Sequence, residues 1–388
     1  MTMSRVAIVG TGHSRFGRRT DVNVGELAFE SVKQAIDETG VGRKDIRNVF
    51  VGSAGGWYEE PLPAVVVGEY AGLSGAGTMR VEAACASGSA ALKAAYNSIV
   101  SGDGEVAMAV GVEKMTEVDT PTSVELIGRA GSYMWEFENY GMTFPAYYAL
   151  YAVAHMNRFG TTEEDMSRVA VKAHHYGSMN PLAQFQKEIT VEKALGSQVV
   201  AWPLKLYDAC PLTDGSAAVV LASEGVAKEL TDTPVWIRGV GYSSDTANLS
   251  RRSDYVGLSA TVEAAKRAYS MAKVTPQDID VATAHDCFTI AELMAYEDLG
   301  FCKKGEGAKM IRDGETELGG RIPVNLDGGL KAKGHPIGAT GISMAVEITK
   351  QLRGEAGRRQ APTRNGIGLV HNVGGTGHYA YVTVLSRN

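Results

Sequence analysis

The stretch Val81-Glu-Ala-Ala-Cys85-Ala-Ser-Gly88-Ser-Ala90 decides the fold, because a similar turn returns late in the chain. Here an apolar, strand-like run breaks into small residues and continues into a helix-forming segment, residues 90–100. The later segment Gly338-Ala-Thr-Gly341 matches Cys85-Ala-Ser-Gly88 and also opens an apolar helix. A strand-to-helix turn that occurs twice suggests a duplicated unit.

Two further matches keep the same order in both parts of the chain. Residues 30–37 and 263–270 both read as amphipathic helices that lead through an Asp-Ile pair into an apolar strand. Residues 109–113 pair in the same way with residues 371–375. The three matches predict two similar α/β halves around a pseudo-twofold axis. We expect one half to comprise residues 1–115 plus 213–232 and the other residues 233–388.

Residues 116–212 have no counterpart in the repeat and are predicted to form an inserted loop subdomain. The insert is rich in aromatic side chains: Tyr133, Trp135, Phe137, Tyr140, Phe144, Tyr147, Tyr148 and Tyr151. They fit a lid or substrate-binding element. For each single ring, a place in the core of a helical insert is the alternative.

Composition excludes several classes of partner. The chain of 388 residues carries a net charge of −6, which gives no basic surface for nucleic acid or an anionic membrane. No apolar run approaches the roughly 18 residues of a membrane-spanning helix, and no signal peptide is visible. We therefore expect a cytoplasmic protein without nucleic-acid or membrane partners.

The cysteines and histidines predict neither a disulfide framework nor a metal site. His174-His175 lacks nearby ligand spacing and is expected on a solvated helix face. Residues 9–17 are glycine-rich, but Arg15 stands where a dinucleotide fingerprint needs glycine, so NAD is not expected. The four cysteines form no C-x-x-C pair: Cys85, Cys210, Cys287 and Cys302. We expect Cys210 and Cys302 to be packing residues.

Cys85 is the candidate nucleophile. At a helix N-terminus, unpaired N–H groups and the helix dipole favour a thiolate, and small neighbours let a thioester approach closely. On this segment alone, the alternative is a buried structural cysteine.

Six segments, in this order, identify the chain as a member of the thiolase family over essentially its whole length. The segment Gly334-His335-Pro336 is the most specific of them. The resemblance implies an α/β fold of two duplicated βαβαβαββ halves in five layers, αβαβα, with the inserted subdomain. The matching segments are residues 81–90, 109–115, 213–220, 285–288, 333–341 and 371–377.

The departures from the commonest thiolases are informative. Those enzymes carry Asn-Glu-Ala-Phe where this chain has His285-Asp-Cys-Phe288, and a C-terminal Cys-x-Gly where it has Asn372-Val-Gly374. One cysteine is thus missing from the C-terminal loop and another appears in the other loop. This exchange resembles the sterol-carrier-protein type thiolases and the archaeal acetyl-CoA acetyltransferases.

The resemblance implies distinct roles for the reactive side chains. Cys85 would carry the acyl group and His335 would take its thiol proton. Cys287 would protonate the departing CoA thiolate and then remove the α-proton of the second acetyl-CoA. Such a thiolate needs cationic or dipolar surroundings. From the residues alone, Cys287 could instead be an ordinary buried strand end.

Oxygen atoms that become negative need preorganised donors. By resemblance, His285 and His335 form one anion site, and the backbone N–H groups of Cys85 and Gly374 form the other. Asn372 lies beside the second site, without an assigned role. Candidates for contacts with the nucleotide end of CoA are Ser243, Ser244, Arg251 and Arg252, although paired arginines are more often simply solvated. No cofactor or metal is expected, since CoA thioesters are the substrates.

The predicted activity is that of an acetyl-CoA C-acetyltransferase, which condenses two acetyl-CoA to acetoacetyl-CoA and CoA. For the archaeal type, the resemblance implies a place before 3-hydroxy-3-methylglutaryl-CoA synthase in the mevalonate pathway. It also implies a homodimer or tetramer, and an assembly with that synthase and a small zinc-containing OB-fold protein. The alternatives are a degradative 3-ketoacyl-CoA thiolase of longer chains and a non-catalytic thiolase-like partner subunit.

Overall fold

The computed structural model describes residues 5–388, with eleven strands and twelve α-helices in this range. The strands are β1 (Val6–His13), β2 (Asn48–Gly52), β3 (Gly77–Val81), β4 (Val106–Lys114), β5 (Val199–Ala201), β6 (Leu204–Lys205), β7 (Asp214–Ser223), β8 (Val235–Ser244), β9 (Val281–Thr283), β10 (Ile367–Gly374) and β11 (Tyr379–Ser386). The helices are α1 (Val24–Thr39), α2 (Pro63–Tyr70), α3 (Ser87–Val100), α4 (Thr120–Gly128), α5 (Phe144–Phe159), α6 (Glu163–Ser178), α7 (Val191–Leu195), α8 (Glu224–Leu230), α9 (Ser259–Ala272), α10 (Thr289–Asp298), α11 (Gly307–Arg312) and α12 (Thr340–Arg353).

Nine strands form one mixed sheet in the order β3-β2-β4-β7-β1-β8-β11-β10-β9. The order is mirrored about the junction of β1 and β8, where Ala7 pairs with Trp236 and Ile8 with Val235. Counted outward from that junction, β1, β7, β4, β2 in one half correspond to β8, β11, β10, β9 in the other. The predicted duplication is confirmed.

The second half differs from the first in its third strand, which is reduced to a single parallel bridge between Ala282 and Val324. The next residue, Asn325, has a left-handed backbone (φ 59°) that ends the extended segment. Its side chain then replaces the missing strand pairing. Oδ1 accepts from the Ala284 N–H at 2.8 Å and Nδ2 donates to the Ala284 carbonyl at 3.0 Å.

Helices cover both faces of each half. Alternate residues of β1 face opposite sides: Ala7 and Val9 join the apolar cluster around α1, and Val6 and Ile8 join the cluster that contains α3 and α12. Helix α12 packs against α3 and against strands of both halves, and α9 covers β8 and β11. The layers are therefore α1, one half-sheet, α3 with α12, the other half-sheet, and α9, as the resemblance predicts.

Two glycines let the N-termini of α3 and α12 meet at the centre. A Cβ on Gly88 would lie 2.8 Å from the Gly338 carbonyl oxygen, and one on Gly341 would lie 2.3 Å from the Ser89 nitrogen. These distances are shorter than any real carbon contact, so both positions need glycine. The two matching turns found in the sequence are thus in direct contact, and each carries one end of the site described next.

Residues 116–212 contribute α4 to α7 and the small β5–β6 ribbon, and all nine strands of the main sheet lie outside them. The aromatic side chains of this insert divide into two groups. Tyr147, Tyr148 and Tyr151 are fully buried, whereas Trp135 and Tyr140 are 67% and 80% exposed. The three buried tyrosines therefore take the core alternative, and a lid or substrate-binding role for the exposed rings stays a prediction.

Candidate active site

Three residues from distant segments line one cavity of about 470 Å³: Cys85, Cys287 and His335. Much of the remaining wall is apolar and includes Trp57 and Phe144. The structure therefore brings both predicted reactive cysteines and the predicted base to one cavity. A water-poor wall of this kind strengthens electrostatic interactions with a bound thioester.

Cys85 lies on a tight turn between β3 and α3. The preceding residue, Ala84, has φ 50°, a strained conformation for a residue with a side chain. Ser87 holds the turn: its hydroxyl donates to the Ala84 carbonyl at 2.6 Å and accepts from the Ala83 N–H at 2.9 Å. The strain is of the order of 1–3 kcal/mol, and it presents the thiol to the cavity.

The Cys85 thiol is protonated in this environment. Burial raises its pKa to about 12, although a hydrogen bond from the Gly375 N–H acts in the opposite direction. The thiolate expected from the helix N-terminus is therefore wrong for the free protein, because desolvation outweighs the local dipole. The Gly375 N–H, one residue beyond the predicted Gly374, is a donor at this sulfur that the sequence did not indicate.

His335 is set up as a base by its hydrogen bonds. Its Nδ1 lies 2.7 Å from the Thr340 hydroxyl, which donates its own proton to the Pro336 carbonyl at 3.0 Å. Nδ1 must therefore carry the hydrogen, which leaves Nε2 as an acceptor. Nε2 is buried without a partner among the described residues. Burial, with a smaller effect of Lys333, lowers the His335 pKa to about 3, so the ring is neutral.

His285 has the opposite tautomer. Its Nδ1 lies 3.2 Å from Nδ2 of Asn372, an amide nitrogen that can only donate, so the ring hydrogen is on Nε2. Burial and the neighbouring His335 lower its pKa well below the ordinary value. The two rings meet edge to face, 5.1 Å between centroids. One ring can thus accept a proton while the other donates to an oxygen.

Asn372 links the two catalytic loops. The same Nδ2 also donates to the Cys85 carbonyl at 3.1 Å. No role was predicted for Asn372, and the structure assigns it a positioning role, because it fixes the His285 tautomer and the Cys85 turn together.

Cys287 is held by pairing with the loop before β7. The Cys210 N–H donates to the Cys287 carbonyl at 2.9 Å. Burial and the Cys210 thiol raise the Cys287 pKa well above the ordinary value, and the nearby Tyr148 hydroxyl opposes them. The cationic surroundings expected for this thiol are absent from the groups that act on it. Cys210 lines the same cavity, in addition to packing.

Two buried acidic side chains anchor the loops around the cavity. Asp286 accepts from the backbone N–H groups of Leu330 and Lys331 at 2.7 and 3.3 Å. Glu113 accepts from three backbone N–H groups, those of Ala54, Gly55 and Gly338, at 2.9 to 3.1 Å. Glu113 was not predicted as a site residue, although an acidic side chain in the apolar strand β4 is a signal for a buried anchor.

Two family profiles match this chain and show the family to which it belongs. A family profile described as Thiolase, N-terminal domain matches residues 6–225, and one described as Thiolase C-terminal domain-like matches residues 241–387. The chain belongs to the thiolase family. It is an enzyme of the acyltransferase class, as the sequence predicts.

Individual relatives fall in the predicted branches. The protein named Acetyl-CoA acetyltransferase from Methanothermobacter thermautotrophicus is 45% identical over 99% of this chain and 100% of its own length. Sterol carrier protein 2 of Homo sapiens is 32% identical over 96% of this chain and 70% of its own length. A solved structure named Ltp2-ChsH2(DUF35) aldolase is 26% identical, with a TM-score of 0.87 over 99% of this chain and 98% of that one. The resemblance stated from the motifs is confirmed.

The four residues proposed for nucleotide contacts lie outside the lining of the thiolase cavity. Ser243 and Ser244 are in β8, and Arg251 is exposed. Arg252 is engaged within the protein: its guanidinium donates to the Thr376 carbonyl at 2.7 Å and to the Thr246 carbonyl at 3.0 Å. It therefore supports the glycine-rich loop after β10, and contacts with CoA stay a prediction.

The paired histidines differ from the expectation. His174 is 4% exposed and its Nδ1 lies 3.0 Å from the Lys187 carbonyl, so a solvated face is wrong for it. His175 is partly exposed and contacts Glu188. Within residues 5–388, no group of three His, Cys, Asp or Glu could hold a metal ion. Over the same range, no helix combines the length and apolar character needed to cross a bilayer.

Alkylation of Cys85 by iodoacetamide is expected to accelerate steadily with pH, because a thiol with a pKa of about 12 stays protonated in the neutral range. The thiolate fraction rises about tenfold per pH unit from about pH 6 to about pH 9. Mass spectrometry of the Cys85 peptide gives the rate. A plateau above the ordinary histidine pKa would mean a thiolate–imidazolium pair with His335, contrary to the neutral pair described here.

Proposed function

We propose that the protein is an acetyl-CoA C-acetyltransferase that condenses two acetyl-CoA to acetoacetyl-CoA and CoA through an acyl-enzyme on Cys85. The observation that carries the proposal is the single cavity lined by Cys85, Cys287 and His335, with His335 Nε2 as a buried acceptor that lacks a partner among the described residues. The archaeal relative named Acetyl-CoA acetyltransferase, similar over the full chain, supports the choice of acetyl-CoA.

The first half-reaction transfers the acetyl group to sulfur. His335 Nε2 takes the Cys85 proton as Sγ attacks the thioester carbonyl. The resulting oxyanion would accept hydrogen bonds from the backbone N–H groups of the Cys85 turn and the Gly374–Gly375 segment. When the intermediate collapses, the CoA thiolate leaves and takes the proton of the Cys287 thiol. This step leaves acetyl-Cys85, a protonated His335 and a Cys287 thiolate.

The second half-reaction forms the carbon–carbon bond. The Cys287 thiolate removes an α-proton from the second acetyl-CoA, and the enolate oxygen is stabilised by the Nε2–H donors of His285 and the protonated His335. The enolate carbon attacks the acetyl-Cys85 carbonyl, and the C–S bond to Cys85 breaks. The Cys85 thiolate then recovers the proton held by His335. All protons return to their starting groups, and acetoacetyl-CoA leaves.

The neutral starting groups would keep both cysteines weakly nucleophilic near neutral pH until substrate is bound. Burial raises the pKa of both thiols, and burial lowers the pKa of His335 to about 3. A thiolate would form only when the thioester oxygen develops the charge that the fixed donors stabilise. The site would therefore protect two nucleophilic sulfurs until acetyl-CoA is bound.

We further propose a homodimer or tetramer that acts in the mevalonate pathway, together with 3-hydroxy-3-methylglutaryl-CoA synthase and a small zinc-containing OB-fold protein. The similar solved structure carries a second component, ChsH2(DUF35), in its name, which supports a partner for this fold. Strand β3 lies at the sheet edge and Met79 on it is 56% exposed, which suits pairing with a second copy. The cytoplasmic location stays a prediction.

Thiolysis assays with 3-ketoacyl-CoA of increasing length test the proposed substrate. We expect kcat/KM for acetoacetyl-CoA to exceed that for a ten-carbon substrate by at least about tenfold, since mismatched methylenes cost about 1–3 kcal/mol each. The physical reason is that a cavity of about 470 Å³ must also admit the pantetheine arm of CoA. A preference for the ten-carbon substrate would instead favour the degradative 3-ketoacyl-CoA thiolase.

A further inference from the structure

A second cavity, of about 480 Å³, lies behind one wall of the active site. The two cavities share the lining residues Ala209, Cys210 and Pro211, so this short segment is the partition between them. The charged side chains that line the second cavity are all lysines: Lys187, Lys193 and Lys331. Aspartate and glutamate are absent from the described residues of this lining. The charged side chains of this lining are therefore all positive.

Lys331 is the buried member of this group. It is 2% exposed, and its Nζ donates to the Ala209 carbonyl. Within residues 5–388, no carboxylate oxygen lies within ion-pair distance of it. The other four buried lysines each have such a partner: Lys114 with Glu117, Lys172 with Glu292, Lys205 with Glu163, and Lys333 with Asp327.

A buried ammonium without a counter-ion is costly, and an ammonium has three hydrogens to donate. Lys331 uses one of them in the hydrogen bond to Ala209. Every other buried lysine within residues 5–388 has a carboxylate partner. Lys331, which has none in this range, lies where the second cavity adjoins the active site. An anion from outside the chain would complete the pair.

The nearest acidic groups do not fill this role. Asp208 accepts from the Thr289 hydroxyl at 2.7 Å and from the Lys205 N–H at 2.8 Å. Asp286 accepts from two backbone N–H groups, and burial together with Glu292 raises its pKa to about 8. Burial lowers the Lys331 pKa to about 8 against the opposing effects of Cys210, Asp208 and Asp286. His174, which also faces Lys331, is neutral because burial lowers its pKa to about 4.

We propose that this second cavity binds an oxyanion, a carboxylate or phosphate group on a small apolar or aromatic body, with the anionic group on the Lys331 ammonium. Aromatic rings suit the body of such a ligand: His174 stacks on Phe185 at 5.8 Å and meets Tyr207 edge to face at 5.5 Å. Lys187 and Lys193 are exposed and would attract the anion from solvent.

The anionic group has two sources, a free small anion or the far end of an acyl group on the thioester. The second source rests on the acyl transfer to Cys85 in the proposed function and needs an acyl group longer than acetyl. The phosphates of the reacting CoA are excluded as a source, because the whole pantetheine arm separates them from the sulfur, whereas Lys331 contacts the partition itself.

Calorimetric titration with inorganic phosphate and with glutarate tests the site directly. We expect both to bind the wild-type protein, and Lys331→Met to weaken binding at least about tenfold, because a charge-assisted hydrogen bond is lost. Lys33→Met, on the exposed face of α1, is the matched control and should bind as the wild type does. Equal affinity in Lys331→Met, or no binding to the wild type, overturns the proposal.

A second measurement needs no variant. Burial lowers the Lys331 pKa, so a fraction of its amines is neutral in mildly alkaline solution, and bound glutarate, which is fully ionised there, would draw a proton onto them. The binding enthalpy should therefore change with the ionisation heat of the buffer, in the sense of proton uptake. Glutarate binding without proton uptake at any pH between about 7 and about 10 places the anion elsewhere and contradicts the proposal.

Two 3-ketoacyl-CoA substrates of equal length distinguish a free anion from an anionic acyl group. One substrate ends in a carboxylate and the other in a methyl group. If the acyl group supplies the anion, Lys331→Met lowers kcat/KM for the carboxylate substrate at least about tenfold and spares the methyl one. If the anion is free, the ratio is unchanged while phosphate binding is lost. Calorimetry does not depend on turnover, so failure of the proposed acetyl transfer is distinguishable from failure of the anion site.

Discussion

Cys85→Ala should lower condensation and thiolysis by at least about 10⁴-fold, because it removes the atom that carries the acyl group. The neighbouring cavity wall and His335 would remain, so residual activity should come from binding and anion stabilisation alone. Initial rates with acetyl-CoA, and with acetoacetyl-CoA plus CoA, measure the loss. The variant should also fail to show any burst of CoA release.

Cys302→Ala is the matched control for this substitution. Cys302 packs against the main core cluster and does not line the active-site cavity. We expect its activity to stay within about twofold of the parent, with a modest loss of stability of about 1 kcal/mol. If Cys85→Ala retained activity comparable to this control, the covalent route through Cys85 would be wrong.

Cys287→Ala should lower condensation by about 10³-fold, the scale of a lost general acid–base group. Cys287→Ala differs from Cys85→Ala in the step that is lost, which is removal of the α-proton rather than acylation. Acylation of Cys85 needs His335 and the backbone donors, so the variant should still take up one acetyl group, more slowly. It should no longer exchange the α-protons of acetyl-CoA with deuterated solvent, as followed by NMR or mass spectrometry.

Retained deuterium exchange in Cys287→Ala would assign the α-proton to another base. The same cavity offers Cys210 and His335 as the groups to examine in that case. A general loss of structure is distinguished by thermal unfolding, since the side chain removed is small.

Much of this site could be predicted from the sequence because its parts are carried by turns with strict local chemistry. Cys85 and His335 lie in segments where small residues and glycines leave few alternative conformations. The duplication was visible for the same reason: Gly88 and Gly341 are required where two helix ends touch. Such constraints act over a few residues, and a single chain displays them.

The protonation states could not be predicted, because they depend on tertiary burial. A helix N-terminus favours a thiolate locally, but the surrounding elements remove water from Cys85 and reverse the outcome. Arg252 was offered for CoA contacts, with a solvated side chain as the alternative, yet it hydrogen-bonds the loop around Thr376. Lys331 was missed for a related reason. A lysine in a glycine-rich segment suggests a solvated side chain, and only the fold shows that it is buried without a carboxylate.

Peptide mapping after a single turnover with isotopically labelled acetyl-CoA tests the central claim most directly, that Cys85 carries the acyl group and Cys287 moves the α-proton in the same cavity. In Cys287→Ala the account predicts one acetyl group on the Cys85 peptide, a matching release of CoA, and no acetoacetyl-CoA. Label on any other residue, or acetoacetyl-CoA formed at the parent rate, would contradict it.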